Sequence, residues 1–525
     1  MTERSYISNT ALISLLIAVN VIIVAFTPFA EDSLLKSVVR VCLNTALGYG
    51  LWVSIGRWWP IRALLSLSIY STVLLALTYH SNISLAVVFS IVGATTYESW
   101  DFIRTNYLSM LLAGTMALAA FLLQPKRQRH LDALATVFAF VYIVVPASIH
   151  PFIHPERFDI EQQEARAKGF SKPMEITQIV LDNTPAFKSP PLEMFKGAFD
   201  ALSFSVSRAK SQLGSSWTNV VSNRDSDLIV VAIGESLSAN HLGLYGYYRD
   251  TTPQLDALAD QISAINDVFS AGTNTWSSIP TTLTGLGSIA DPSQSLVNLA
   301  KDAGYKTYWI SNQGQFSEWD FVVSALAKQS DADFFMSDQE GGEQYDSVVV
   351  EKFTSLLHDP NMVNLQGKNL FVLHFYGSHP SFVDRYPREA EHFTGSDNPL
   401  LDQYDNSVRY TDQLQRDIIN SISTLGGRYV FFADHGLGKP SGPMAFKHDV
   451  RKVPDVESLR VPLLFYPAYT PPEHMGERIS LMKFLCVFGA WAEINASELN
   501  AENCDSDGTI RYFDVNMNLN QYRFE

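Results

Sequence analysis

Several segments of this sequence end or interrupt apolar runs with side chains that bind metal ions or attack phosphorus. Leu228 to Ile233 is closed by Gly234-Glu235-Ser236. An apolar run of this length reads as a buried parallel strand that stops and presents Glu235 at its C-terminal edge, where ligands of open α/β sheets sit. Tyr429 to Ala433 likewise delivers Asp434-His435-Gly436, and Gly436 lets the chain leave the strand direction at once, so Asp434 and His435 can reach one ion. Leu370 to Phe375 leads into Gly377-Ser378-His379-Pro380, and His448 follows His435 after a loop rich in Gly and Pro. Ser270 to Pro280 sets Gly272 before Thr273, Asn274, Thr275, Ser277 and Ser278. Such a loop entering a helix favours a phosphate at the helix N-terminus, and a hydroxyl bound to a divalent cation becomes an alkoxide able to attack phosphorus in line. Plainer roles exist for each: a solvated strand end for Glu235, a turn cap for Asp434, a helix N-cap for the hydroxyl residues, solvated loops for His379 and His448, and a core position for His374.

The elements that must position these residues follow from periodicity. After Asp227, apolar or β-branched runs at 228–233, 305–310, 370–375, 429–433 and 461–466 alternate with helical patterns at 254–265, 294–303 and 407–425. That alternation predicts an α/β domain with a mostly parallel central sheet covered by helices, over 225–525. The first part of the chain differs. Segments 10–30, 34–55, 63–79, 104–124 and 132–149 are each apolar over about the ~20 residues needed to cross a bilayer, which predicts an α-helical membrane domain of about five spans over 1–150. Residues 83–96 form a shorter apolar piece, read as interfacial or re-entrant. Arg57, Arg62 and the cluster Lys126 to His130 lie in loops that five spans place in the cytoplasm with the N-terminus, leaving everything after about residue 150 outside. A sixth span would put the 126–130 cluster on the wrong side. Residues 151–224, broken by six prolines, read as a linker along the membrane surface.

Composition sets further bounds. The 525 residues carry a net charge of −16 with no long basic stripe, which excludes general nucleic-acid binding. Three cysteines exclude a Cys-rich zinc module; Cys486 and Cys504 would pair only in an oxidising compartment, and the sequence leaves that pairing open.

Taken in order, Gly234-Glu235-Ser236, Gly272-Thr273-Asn274-Thr275, the loop at His379, Asp434-His435-Gly436 and His448 resemble the phosphoethanolamine transferases of the alkaline phosphatase and sulfatase superfamily. These are Gram-negative inner-membrane enzymes with a periplasmic catalytic domain. The flanking segments Tyr245 to Pro253, Trp309 to Asn312 and Tyr404 to Asp412 match too, so the resemblance covers nearly the whole chain. It implies that Glu235, Thr275, Asp434 and His435 coordinate a zinc ion. It implies that Thr275 takes phosphoethanolamine from phosphatidylethanolamine and passes it to an envelope glycolipid or glycan acceptor such as lipid A. It makes His379 and His448 contacts for the phosphoryl group or for a second zinc ion.

The sequence departs from the family in three places. Ala271 and Thr281 stand where relatives often carry cysteines bracketing the nucleophile loop, so that loop must be held another way. Ser317 stands where a phosphate-contacting lysine is common, with Asn312 and Gln313 as substitutes. Glu98 resembles a membrane-proximal acidic residue facing the lipid. A phosphoglycerol transferase, a phosphodiesterase of the same superfamily, or a non-catalytic membrane-anchored binding module are the competing readings. A sulfatase activity is disfavoured, since no Cys-x-Pro-x-Arg motif exists to become formylglycine. The acceptor, the number of metals and the oligomeric state are not encoded in any motif.

Overall fold

The computed structural model describes the chain outside residues 1–8, 28–32, 80–95, 124–127, 154–157, 159–161, 163–171, 190–191, 200–213, 285, 287–290, 314–320, 337–344, 440–445, 450–453, 506–507, 515–518 and 523–525. It divides into two compact units, residues 1–210 and 211–525.

In the first unit the apolar segments fold as α1 (Asn9–Phe26), α2 (Leu34–Ser54), α3 (Trp59–Tyr79), α4 (Thr96–Leu122) and α5 (Arg129–Ile153). A helix satisfies every backbone polar group within itself, which apolar surroundings demand. Three of these are long and apolar enough to cross a membrane: 9–26, 59–78 and 102–122, with mean hydropathies of 2.3, 1.7 and 1.4. The other two fall short for visible reasons. Lys36, Arg40, Asn44 and Thr45 interrupt α2, and the apolar part of α5 is confined to 130–146. Apolar length alone therefore supports three spans where the sequence pattern led us to expect about five. The 83–95 part of the interfacial piece lies outside the described residues. Leu12, Leu16 and Val19 of α1 pack with Trp52 of α2, Ile69 and Val73 of α3 and Ala113 of α4 in one apolar core. Arg57, just after α2, pairs with Asp132 at the start of α5 at 2.7 Å. The segment after α2 and the start of α5 thus meet at one end of the helical unit, where Trp58 and Trp59 are largely exposed.

The second unit is built on a seven-stranded mixed sheet. In chain order its strands are β1 (Asp227–Gly234), β2 (Ser263–Ala264), β3 (Lys306–Ser311), β4 (Ala332–Phe335), β5 (Lys368–His374), β6 (Arg428–Ala433) and β7 (Leu463–Tyr466), arranged β2-β7-β6-β1-β5-β3-β4. The stretch from β6 to β4 is parallel throughout, while β7 runs antiparallel to both β6 and β2. β1 is central and buried at every position, as its unbroken apolar run requires. Helices α6 (Ser347–Leu357) and α7 (Pro399–Ser423) cover one face, and α8 (Phe484–Ala492) lies on the other. Phe353 meets Phe371 edge-on at 5.0 Å, and Phe484 meets Phe432 at 4.6 Å. Phe371 pairs with Val230 and Phe432 with Ile233, an odd separation along β1, so these contacts lie on opposite faces. The helix expected over 254–265 is only the turn Pro253–Asp256, because the chain must straighten at once to join the sheet as β2. Cys486 and Cys504 are joined as a disulfide.

Register is what positions the site. Ile233 of β1 lies beside His374 of β5 and Phe432 of β6, so the segments after these strands leave at the same edge. At the opposite edge Asp227 is almost fully buried against Arg428, whose Nε donates to Asp227 Oδ1 at 3.2 Å and whose Nη1 donates to Trp491 O at 2.7 Å. Tyr305 OH donates to the same carboxylate at 2.7 Å. Replacing Arg428 by Met strands a buried carboxylate and is expected to cost about 3–5 kcal/mol. Thermal melting of the full chain would show this, and an unchanged midpoint would refute it.

Candidate metal centre

Four side chains from three segments converge beyond β1 and β6. Thr275 Oγ1 donates to Glu235 Oε2 at 2.9 Å and lies 3.4 Å from His435 Nε2. His435 Nε2 is 3.3 Å from Glu235 Oε1 and 3.4 Å from Asp434 Oδ2. Four ligands held at about 2.0–2.2 Å in a tetrahedron stand about 3.3–3.6 Å apart. The separations seen here are those of such a shell drawn slightly inward. Asp434 Oδ2 has no hydrogen-bond partner among the described residues, as a ligand oxygen awaiting an ion should. His435 Nδ1 lies 2.8 Å from Gly436 O; with its proton there, the Nε2 lone pair turns to the shared centre. This donor set fits a zinc ion.

The electrostatics point the same way. Burial pushes the Asp434 carboxyl up, to about 8, and the neighbouring Glu235 charge adds to that. Burial works against charge on His435 too, yet Asp434 and Glu235 raise it to about 9. Glu235 is opposed by burial but is held well below the usual carboxylate range by His435. Without a cation, the cluster favours binding protons at Asp434 and His435. Burial, followed by the nearby His435 and His379, drives His448 down to about 3, so it is a neutral imidazole at physiological pH.

The Thr275 loop owes its shape to hydroxyl groups. α-Helix Thr275–Leu283 starts at Thr275 itself, with Asn274 as N-cap accepting from Ser277 N at 3.0 Å. Ser270 Oγ and Ser278 Oγ lie 3.0 Å apart and both donate to the carbonyl of Asp434. Thr281 Oγ1 donates to Ser277 O at 2.7 Å. These bonds tie the loop directly to a ligand-bearing segment, supplying the constraint that Ala271 and Thr281 cannot provide as cysteines. Only glycine fits at 272, where a Cβ would lie 2.1 Å from Ser277 Oγ. Gly377 (φ +51°) is packed so closely that a Cβ would lie 2.8 Å from Glu235 N. That contact sets the His379 loop against Glu235.

The remaining expected residues sort clearly. The ring of His448 is 4.9 Å from that of His435 and 6.2 Å from that of His379, and His379 stacks on Tyr376 at 5.0 Å. Both histidines therefore border the cluster, half-buried, and one ligand atom from each of Glu235, His435 and His448 falls within 4.8 Å. Gln313 Nε2 donates to Glu235 Oε2 at 3.0 Å. Asn312 instead donates to Asp346 at 2.9 Å, one layer out. His374 is buried in β5, and burial lowers it to about 4. Ser317 and the side chain of Glu98 lie outside the described residues.

Sequence patterns missed three supports. Ser236, in the left-handed region at φ +57°, donates through N to Asp434 Oδ1 at 3.0 Å and through Oγ to Glu235 Oε1 at 2.7 Å. Tyr404 OH donates to Ser236 O at 2.9 Å, holding a turn that costs about 1 kcal/mol or more to maintain. Asp346 accepts from Tyr376 N and Gly377 N at 2.8 and 2.7 Å, fixing the His379 loop. Tyr404 sits in a segment whose motif was visible without its role; nothing around Asp346 marks it.

Residues 227–494 match the model of the sulfatase family, which spans all the strands and ligands just described. This chain belongs to the sulfatase family. It is 30% identical over 232 residues to the phosphoethanolamine transferase EptC of Escherichia coli strain K12, covering 40% of this chain and 39% of that one. The matched stretch is under half the length of the first curated relatives. Its fold resembles the integral membrane protein lipooligosaccharide phosphoethanolamine transferase A of Neisseria meningitidis, with a TM-score of 0.69 at 16% identity over 95% of this chain and 99% of that one. It also resembles the C-terminal periplasmic domain of E. coli EptC in complex with Zn, with a TM-score of 0.50 at 22% identity over 58% and 96%.

The charge balance of the cluster yields a test with a change of sign. Asp434→Asn removes a ligand but also the buried charge that repels Glu235. The variant should retain less than half the wild-type zinc by elemental analysis and melt lower when zinc is supplied. In EDTA it should melt no lower than the wild type; equal zinc content in both proteins would contradict the ligand set.

Proposed function

We propose that this chain is a multi-pass inner-membrane phosphoethanolamine transferase whose periplasmic domain works through a covalent Thr275 intermediate. The observation that carries this reading is the placement of Thr275 Oγ1 between Glu235 Oε2 and His435 Nε2 at the first turn of a helix. When bound, a zinc ion at Glu235, Thr275, Asp434 and His435 would favour the Thr275 alkoxide and screen charge on the phosphoryl oxygens. Glu235 orients the hydroxyl and accepts its hydrogen bond. Thr275 Oγ1 then bonds to the phosphorus of phosphatidylethanolamine, the P–O bond to the lipid breaks, and diacylglycerol leaves after its oxygen takes a proton. In the second half an acceptor hydroxyl attacks the same phosphorus, gives up its proton, and Thr275 regains its own.

His448 is placed to move these protons, with its ring 4.9 Å from that of His435 and its Nε2 unpartnered among the described residues. His379 stands across from it and is positioned to contact the phosphoryl oxygens or a second metal ion. Gln313 lies beside the cluster, its Nε2 donating to Glu235 Oε2 at 3.0 Å and to Phe375 O at 3.1 Å, so it steadies Glu235. Residues 1–150 would form about five spans, 151–224 a membrane-surface linker and 225–525 the catalytic domain. The basic residues Arg57, Arg62 and Lys126 to His130 in the sequence support a cytoplasmic placement of those loops, and the Cys486–Cys504 disulfide supports an oxidising compartment for the catalytic unit. The acceptor is an envelope glycolipid or glycan.

Intact-mass spectrometry of the purified full chain incubated with phosphatidylethanolamine tests this. A phosphoethanolamine increment mapped to Thr275 and absent from Thr275→Ala is expected. An adduct on Ser277 or Ser278, no adduct at all, or a phosphoglycerol increment when phosphatidylglycerol is supplied instead would overturn it.

A further inference from the structure

His379 borders the metal centre, yet its ring is not oriented by a hydrogen bond at Nδ1, which is buried and has no partner among the described residues. The backbone leading to it is fixed separately. Asp346 accepts from Tyr376 N and Gly377 N, and Ser378 N donates to Glu235 O at 3.0 Å. Those bonds end one residue before His379 and leave its side-chain torsions unset. Stacking sets them: the imidazole lies nearly parallel to the Tyr376 ring, with 16° between the planes and 5.0 Å between the centroids. The Tyr376 ring is in turn engaged by a cation. The guanidinium carbon of Arg385, a residue only 8% exposed, is 4.1 Å from the ring centroid. A cation over an aromatic face is attracted by the ring quadrupole, most strongly where water is excluded.

The chain must reverse to bring Arg385 there. Ser381 takes the left-handed region at φ +64°, and Phe382–Asp384 follow as a single 3-10 turn. Arg385 N donates to Phe382 O at 3.0 Å and Arg385 Nε to Ser381 O at 3.4 Å. The loop that carries His379 therefore closes on itself, with Tyr376 at one end and Arg385 at the other. We infer that Arg385 is a positioning residue for His379: it holds the Tyr376 ring and, through that ring, fixes the direction in which the imidazole meets the phosphoryl group. The inference rests on the role proposed above for His379. Turning χ1 of His379 to another staggered well would carry the ring nitrogens several ångströms away, whereas a reacting constellation must be held to about 0.5 Å.

The test uses the full chain in detergent and reads His379 in two ways. The first needs no transfer: diethyl pyrocarbonate labels accessible neutral imidazoles, and peptide mapping reports the rate at each histidine. Arg385→Met should raise the His379 rate about fivefold, as loss of one cation–π contact allows, and leave that of His448 unchanged. Arg385→Lys should raise it too, because a compact ammonium cannot stack on the ring as a planar guanidinium does; that variant decides if Arg385→Met does not fold. The second readout is the rate of Thr275 adduct formation at saturating phosphatidylethanolamine. Arg385→Met should lower it roughly tenfold with the half-saturating lipid concentration and zinc content unchanged. Made in a His379→Ala background, the same substitution should cost nothing further. An unchanged His379 labelling rate in the folded Arg385 variant, or a loss that adds in full to that of His379→Ala, overturns the inference. Labelling that responds to Arg385 in a protein forming no Thr275 adduct would sink the proposed function and leave the coupling, and normal adduct formation with unresponsive labelling would do the opposite.

Discussion

Two carboxylates and an imidazole meet where water does not reach, with His435 Nε2 within 3.4 Å of both Glu235 and Asp434. Buried like charges at such range are costly, and without a cation the burial and mutual charges raise both Asp434 and His435. Much of the surrounding architecture serves to force this meeting. Parallel strands in matched register aim Glu235 and Asp434 at one point, Gly377 lets the neighbouring loop close over Glu235, and Tyr404 and Asp434 hold the left-handed turn at Ser236. Strain and charge repulsion are thereby stored together at one place, the arrangement expected where a bound cation repays both.

The supports are layered outward from that point. Ser236 and Gln313 contact Glu235 itself; Asp346 fixes the loop carrying His379; and the paired serines fasten the nucleophile loop to the Asp434 carbonyl. Each layer comes from a different part of the chain, so the geometry of four atoms is set by segments separated by as many as 200 residues, as with the 198 between Ser236 and Asp434. A parallel α/β sheet suits this, because every strand opens at the same edge and each loop there can contribute one contact.

Strand-end residues were legible from sequence because the signal is local: an apolar run stops, and a ligand-type side chain follows. Glu235, Asp434 and His435 needed nothing more than that pattern to become candidates, and the motif order supplied Thr275. The sheet was legible as alternation, though the short edge strand β2 was hidden inside what read as a helix. Asp346 and the role of Tyr404 were not legible, since their value lies wholly in backbone groups brought near by folding. The membrane unit was harder in a different way. Cations in α2 and a short apolar stretch in α5 lower their hydropathy, so pattern and apolar length give different numbers of spans.

The pinning of the Thr275 loop by Ser270, Ser278 and Thr281 has a consequence for how the protein matures. Hydrogen bonds from hydroxyl groups form as the chain folds and require no oxidant, whereas a cystine at Ala271 or Thr281 would make the shape of this loop depend on thiol oxidation. The disulfide that is present joins Cys486 and Cys504, neither of them in the loop. The loop that carries Thr275 can thus take its shape without a cystine of its own.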